Sequence, residues 1–173
     1  MDELLDVVND ADAVTGQAMR SLVHQQGLWH RGVHVFLFNK RGDMLIQKRS
    51  ADRTNSPSLS DCSVSEHVKA GESYLEAAVR GLKEEMGVEG IELSRRGKIQ
   101  MKYGVNDNEI SEIYEGRLDG QQIKFDPGEI SEVKFMSLGE IQVGIVEEKE
   151  KYCYWFIQLM QWYFGQPANL KEL

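Results

Sequence analysis

The run from Ser73 to Gly87 constrains the chain most, because every local signal in it points to a single helix. Ser73 and Glu76 form an S-x-x-E pair, in which the serine caps the third helical amide and the glutamate reaches back to the cap amide. Leu75, Ala78, Val79 and Leu82 recur at i, i+3, i+4 and i+7, giving one apolar stripe for packing on a sheet. Gly87 stands where a left-handed residue ends a helix. The spacing predicts a helix over 74–86, with Glu76 and Arg80 placed for an i, i+4 ion pair. Its last turn carries Glu84 and Glu85 beside the negative end of the helix dipole. Two environments tolerate that placement: solvent around a bare helix end, or a hard divalent cation with oxygen ligands.

Around this helix the pattern reads mostly as strands. Val7-Val8-Asn9 and Ala13 to Gln17 flank the turn former Asn9-Asp10, so the first thirty residues read as a hairpin followed by a helical turn. Residues 31–38 read as a buried strand, 39–43 as a turn and 44–49 as the returning strand of a hairpin. Residues 50–61, polar and containing Pro57, read as a loop before a strand over 62–68. Further strands are expected over 98–104, 110–118 and 133–136. Ser137 caps a short helix at 138–141, and an aromatic-rich helix is expected over 148–164, its rings packing into the core. Strands with few helices point to an α+β fold, built as an α/β/α sandwich.

A chain of 173 residues is long enough for one domain with a real core. Its net charge of −8 argues against a nucleic-acid polymer as partner. An acidic protein that acts on a polyanion must gather positive charge locally, through a metal or a few arginines. Cys62 and Cys153 form neither a CxxC pair nor a disulfide framework. With an acidic start, no long apolar run and no membrane span, they suit a cytoplasmic protein.

The stretch from Glu66 to Val88 resembles the Nudix box, Gly-x5-Glu-x7-Arg-Glu-U-x-Glu-Glu-x-Gly-U, where U is aliphatic. Glu72, Arg80, Leu82, Glu84, Glu85, Gly87 and Val88 fall in register. The resemblance extends over about residues 28–140, through Trp29 to Val35 and Leu45 to Ser50. It implies a single domain over 1–173 with a mixed central sheet: an extension over 1–28, a core over 29–140 and the helix at 148–164. It also implies a small-molecule diphosphate as partner, Mg²⁺ or Mn²⁺ as cofactor held by Glu84 and Glu85, and compatibility with a homodimer. Two positions depart from the box. Glu66 stands where its first glycine belongs, and Gly81 stands where a glutamate should follow the arginine. Gly81 is expected to leave open space beside the metal, with Glu109 supplying the missing carboxylate.

Within the family, Ser65-Glu66-His67 looks most like the branch that contains isopentenyl-diphosphate isomerase. That likeness implies His30, His67, Glu85, Asp107 and Glu109 as metal ligands, and Arg49 and Arg53 as diphosphate contacts. Read alone, His30 or His34 on a strand is a packed or surface histidine, and Asp107-Asn108 is a turn. The isomerase needs a cysteine where this chain has Ser65, and a hydroxyl is a far poorer acid than a thiol. Cys62, three positions earlier, is expected on the opposite face of the strand. Hydrolysis is therefore expected ahead of isomerisation, with Glu85 and Glu109 as its catalytic acids. The alternative is a binding or regulatory domain that lost turnover when Gly81 replaced glutamate.

Overall fold

The computed structural model describes residues 2–173. Its organising element is β3 (Trp29–Phe38), preceded by the hairpin of β1 (Leu4–Val8) and β2 (Val14–Met19) and by α1 (Arg20–Gln26). Asn9 closes the hairpin, its Oδ1 accepting the amides of Ala11 and Ala13. One edge of β3 pairs in parallel with β8 (Asp107–Arg117) along its whole length. Three partners share the other edge in turn: β1 at His30, β6 (Val64–His67) over residues 32–35, and β4 (Met44–Arg49) at Phe38 alone. Outward from β8 lie β7 (Leu93–Gly104) and the short β10 (Lys171–Glu172).

The expected hairpin of β3 and β4 is thus only its first pair. Beyond Phe38–Met44, β4 turns away and pairs with β9 (Ile130–Met136) and with β5 (Ser60–Asp61). The Ser63 hydroxyl sits in the split, accepting from the Leu37 amide at 2.9 Å and donating to the Leu45 carbonyl at 2.6 Å. It satisfies two backbone groups that the parting strands would otherwise leave buried and unpaired.

Strand β3 is covered on both faces. Val33, Val35 and Leu37 pack beneath α2 (Tyr74–Met86) with Leu45, Val64, Ala78, Leu82 and Met86. Phe36 points the other way, into a second core with Ile99, Ile113, Phe156 and Leu159 beneath α3 (Leu138–Glu147) and α4 (Tyr154–Tyr163). The result is the expected α/β/α sandwich around a mixed sheet. The expected capping boxes at Ser73 and Ser137 are both formed.

Three expectations change. The buried face of α2 is Ala77, Ala78, Gly81, Leu82, Glu85 and Met86, while Leu75 and Val79 are 47% and 51% exposed. The helix lies on its small residues, close against β6, and this turns those two side chains outward. Residues 148–164 are not one helix. A 3₁₀ turn (Lys149–Lys151) gives way to extended backbone at Tyr152 and Cys153, where the Cys153 amide donates to the Ser60 carbonyl. Arg80 does not pair with Glu76, whose carboxylate is held by Ser73. Arg80 grips Glu72 with two nitrogens at 2.9 and 3.0 Å and the His67 carbonyl at 2.8 Å, tying the loop before α2 to the helix.

Ser73→Ala removes the capping box of α2 and is expected to cost about 1 kcal/mol, read as a lower urea midpoint with an unchanged m-value. An unchanged midpoint would show that packing alone holds the helix start.

Candidate active site

Alternation along β3 puts His30, Gly32 and His34 on the Phe36 face. Register then chooses their neighbours: Glu109 beside His30 and Ser111 beside Gly32 from β8, His67 beside Gly32 and Ser65 beside His34 from β6. One end of this sheet face is therefore polar and the other apolar. Helix α1 ends over the polar end, capped by Gly27 with φ of +64°, and brings His24 to it.

Three imidazoles meet there. The rings of His24, His30 and His67 lie 5.0–5.4 Å apart between centroids. The acids complete the group: Asp107 Oδ1 is 3.4 Å from His24 Nδ1 and 4.0 Å from His30 Nε2, and Glu109 Oε1 is 3.6 Å from His30 Nε2 and 4.0 Å from His67 Nε2. These separations are too long for hydrogen bonds and near those between ligands that each stand about 2.0–2.2 Å from one ion. His24 Nε2, His30 Nε2 and Asp107 Oδ1 are buried without any hydrogen-bond partner. An unpaired buried polar atom costs ~1–3 kcal/mol, and two triads that share His30, His24–His30–His67 and His30–Asp107–Glu109, each bring three ligand atoms within 4.8 Å of one another, so a cation fits as the missing partner. His30 Nδ1 faces the Leu28 carbonyl at 3.1 Å and so must donate to it, which leaves Nε2 bare toward the acids in the neutral ring.

The charges agree with this arrangement. Burial pushes His67 down to about 3, so its ring is neutral and ready to ligate. Burial also pushes Asp107 up to about 7, helped by the Glu109 carboxylate. Burial acts on Glu109 in the same sense, but the His30 ring, itself raised by that carboxylate, outweighs it and holds that carboxyl at about 2. Room for Glu109 comes from Gly32, where a Cβ would stand 2.0 Å from Glu109 Oε2.

Of the sequence-derived ligands, His30, His67, Asp107 and Glu109 come together here. His24 joins them and was missed. Its only signal was its place six residues before His30, and a histidine at a helix end reads first as a surface group. Glu85 and Glu84 lie apart from this group. Glu85 is 5% exposed, accepts from Gln47 Nε2 at 3.1 Å, and is pushed well up by burial and then by the Glu66 carboxylate. Glu84 is half-exposed, 3.2 Å from Arg80. Leu82 and Val88 are core residues, and Gly87 is the left-handed cap of α2.

The space expected at Gly81 is filled. A Cβ there would stand 2.7 Å from Val64 Cγ1 and 3.3 Å from Glu66 Cβ. The two departures from the box therefore touch: Val64 first, and the residue at 66 less closely, occupy the room that a side chain at 81 would need. Cys62 is not on the far face either. Its Sγ lies 3.2 Å from Ser65 Oγ, because the chain breaks between β5 and β6 and strict alternation does not cross the break. The thiol is fully buried behind Ser65 and is pushed up by burial and the Asp61 carboxylate.

A cavity of about 490 Å³ opens over this face, lined by Ser65, His67, Glu109, Arg49, Arg53 and Trp155 among others. Arg49 is buried; its Nε donates to the Asn55 carbonyl, its guanidinium is 3.6 Å from Asp61 and it lies over the Trp155 ring. Arg53, nearer solvent, pairs with Glu129 at 2.6 Å. Among the described residues no helix is long and apolar enough to cross a membrane.

The profile of the NUDIX domain matches residues 28–156. An isopentenyl-diphosphate Delta-isomerase of Serratia proteamaculans is 32% identical over 165 residues, covering 93% of this chain and 91% of that protein. An uncharacterized Nudix hydrolase of Streptomyces coelicolor is 36% identical over 123 residues, 69% of this chain and 66% of that one. Among solved structures, DR0079 from Deinococcus radiodurans superposes with a TM-score of 0.69 at 29% identity, over 88% of this chain and 99% of that one.

Two substitutions test the packing. Gly32→Ala forces Glu109 off its place and is expected to weaken Mn²⁺ binding at least tenfold by titration calorimetry; unchanged affinity would remove Glu109 from the ligand set. Gly81→Glu is expected to cost ~1–3 kcal/mol by overpacking, and Glu66→Gly in the same chain to restore part of that in urea unfolding. A single variant as stable as the wild type would refute the steric link.

Proposed function

The chain belongs to the Nudix family, and from that premise we propose that it is a hydrolase that cleaves a diphosphate linkage in a small molecule, nucleotide-like or otherwise, using Mg²⁺ or Mn²⁺. The observation that carries this reading is the pair of triads His24–His30–His67 and His30–Asp107–Glu109, joined at His30 and carrying buried unpartnered atoms, beside a cavity that also presents Arg49 and Arg53. When bound, the ion supplies charge neutralisation for phosphate oxygens and acidifies water. A donor set with three imidazoles favours Mn²⁺ over Mg²⁺, which prefers oxygen ligands.

The chain's own residues divide the remaining tasks. Arg49, held rigid by Asp61, Asn55 and Trp155, offers a planar fork to a terminal phosphate. Arg53, paired only with the more exposed Glu129, adds a second positive charge at the mouth. Glu109 supplies the negative charge that supports removal of the proton from the attacking water. Glu84, on the cavity wall, and Glu85, buried beside Glu66, stand apart from this metal-ligand group and add negative charge on the α2 side of the cavity. Cytoplasmic placement belongs to this proposal, as does a chain that works without a nucleic-acid polymer or membrane.

A second reading, isomerisation of an allylic diphosphate, is favoured by the end-to-end similarity to proteins named as isopentenyl-diphosphate isomerases. The position of Cys62 bears on it. A thiol does lie within 3.2 Å of Ser65 Oγ, but it is buried, and the cavity wall presents the serine instead. A serine hydroxyl is a far poorer acid than the thiol that protonates carbon in the isomerase, so hydrolysis is preferred.

The test is a panel of nucleoside di- and triphosphates, nucleotide sugars, dinucleotides, thiamine diphosphate and isopentenyl diphosphate, assayed with Mn²⁺ and with Mg²⁺. Phosphate release from at least one member is expected, lost in EDTA and lowered about 10²–10⁴-fold in Glu109→Gln. Arg49→Ala is expected to raise KM. Dimethylallyl diphosphate formed from isopentenyl diphosphate at an enzymic rate would make the isomerase reading correct, and silence across the panel with retained nucleotide binding would make the chain a binding module.

A further inference from the structure

Beside the metal-ligand group, the same wall carries an unbroken row of hydrogen-bonding side chains. Ser65 Oγ lies 3.0 Å from His34 Nδ1, and His34 Nε2 lies 2.7 Å from Tyr103 Oη. Tyr103 Oη lies 3.0 Å from Ser111 Oγ, and Ser111 Oγ donates to Glu109 Oε2 at 3.1 Å. His34, Tyr103 and Ser111 are buried, and Ser65, His34, Tyr103 and Glu109 all line the cavity.

Counting protons fixes the direction of every bond in the row. A carboxylate only accepts, so Ser111 gives its single proton to Glu109. Tyr103 must then donate to Ser111, and its oxygen is left to accept from His34. That places the His34 proton on Nε2 and leaves Nδ1 bare. The Ser65 hydroxyl donates to Nδ1, a far better acceptor than the neighbouring Cys62 sulfur, whose own proton goes to the Val64 carbonyl at 3.2 Å. All donors therefore point from Ser65 toward Glu109, and the lone pairs of Ser65 Oγ face the cavity. The order of roles is that of a serine, a histidine and an aligning acid, with Tyr103 and Ser111 inserted before the acid.

Glu109 reaches the cavity wall, but both of its oxygens are already engaged. Oε1 faces His30 and His67, and Oε2 takes the Ser111 hydroxyl while lying 2.0 Å from where a Cβ at residue 32 would stand. We propose that Ser65 and His34 are the general-base pair of the hydrolysis, aligned by Glu109 through Tyr103 and Ser111, an assignment that rests on the hydrolase reading above. Water gives its proton to Ser65 Oγ as its oxygen bonds to phosphorus, and the Ser65 proton passes to His34 Nδ1. The phosphorus–oxygen bond to the leaving phosphate breaks, and its electron pair stays on that phosphate. Burial keeps His34 below the usual histidine range, so the ring begins neutral. The imidazolium that forms is stabilised by the Glu109 charge, relayed through the two hydroxyls. Ser65 is the catalytic residue here, and His34 acts through it.

The test joins one spectrum and one kinetic series. In ¹⁵N-labelled, Mg²⁺-loaded protein, with the His34 ring assigned by its loss in His34→Gln, long-range ¹H–¹⁵N correlation is expected to show the Nε2–H tautomer; the Nδ1–H tautomer would overturn the alignment. On whichever substrate the panel identifies, Ser65→Ala and His34→Gln are each expected to lower kcat about 10²-fold with KM within threefold, and the double variant to be no slower than the slower single one. Ser65→Ala with wild-type kcat, or fully additive losses, would overturn the pair. Should no diphosphate be hydrolysed, the hydrolase reading falls and the base role falls with it, whereas the tautomer alone decides the alignment. Cys62→Ala is expected to leave kcat unchanged.

Discussion

The register between β3 and β8 is the interaction on which the rest depends. Ten consecutive parallel pairs, from Trp29–Asn108 to Phe38–Arg117, set His30 beside Glu109 and Gly32 beside Ser111. A slip of one residue would turn His30 and His34 under α2 and drive Val33 and Val35 into the cavity wall. The apolar halves of the same strands hold that register. Val33, Val35 and Leu37 are fully buried on one face and Phe36 on the other, and burial of each such side chain stabilises by ~1.5–3 kcal/mol. The polar end of the sheet carries unpaired buried atoms and crowded carboxylates, and it is the apolar end that makes such an arrangement affordable.

Glycine and serine make that polar end possible. Gly32 leaves room for Glu109 to lie across β3, and Gly81 leaves room for Glu66 and Val64 beneath α2. Ser63 spans the split where β4 leaves β3, and Ser111 links Glu109 to Tyr103. Each is a small residue where a larger one would crowd its neighbours, and Gly32 and Ser111 stand beside the candidate ligand group itself. The box helix contributes differently: Arg80 ties the end of β6 at His67 to Glu72 in the loop before α2, so the helix positions a candidate ligand that it does not itself carry.

Much of this was legible in the sequence where the signal is local. The helix at 74–86, with its serine cap and glycine end, is found at those bounds because caps and periodicity act within a few residues. His30, His67, Asp107 and Glu109 were legible through family resemblance, and the structure places each within 4.0 Å of another of the four. What was not legible depends on distance in space. His24 reaches the site because α1 folds over the start of β3, which no spacing rule reports. Cys62 reached the same face as Ser65 because the strand breaks between them. The partners of Arg80, Glu66 and Glu72, come from the preceding strand and loop and outcompete the sequence neighbour Glu76. Tyr103 and Ser111, spaced eight apart across a hairpin, carry no sequence signal of a shared hydrogen bond.

The central claim is that one divalent cation sits among three imidazoles and two carboxylates on this face. Electron spin-echo spectroscopy of the protein loaded with one Mn²⁺ per chain tests it most directly, because ligating nitrogens modulate the echo. The account predicts nitrogen modulation from more than one imidazole, reduced in His24→Gln and again in His30→Gln, with the fold intact by circular dichroism. A tightly bound Mn²⁺ without nitrogen modulation would place the ion on the carboxylates of α2 and contradict it.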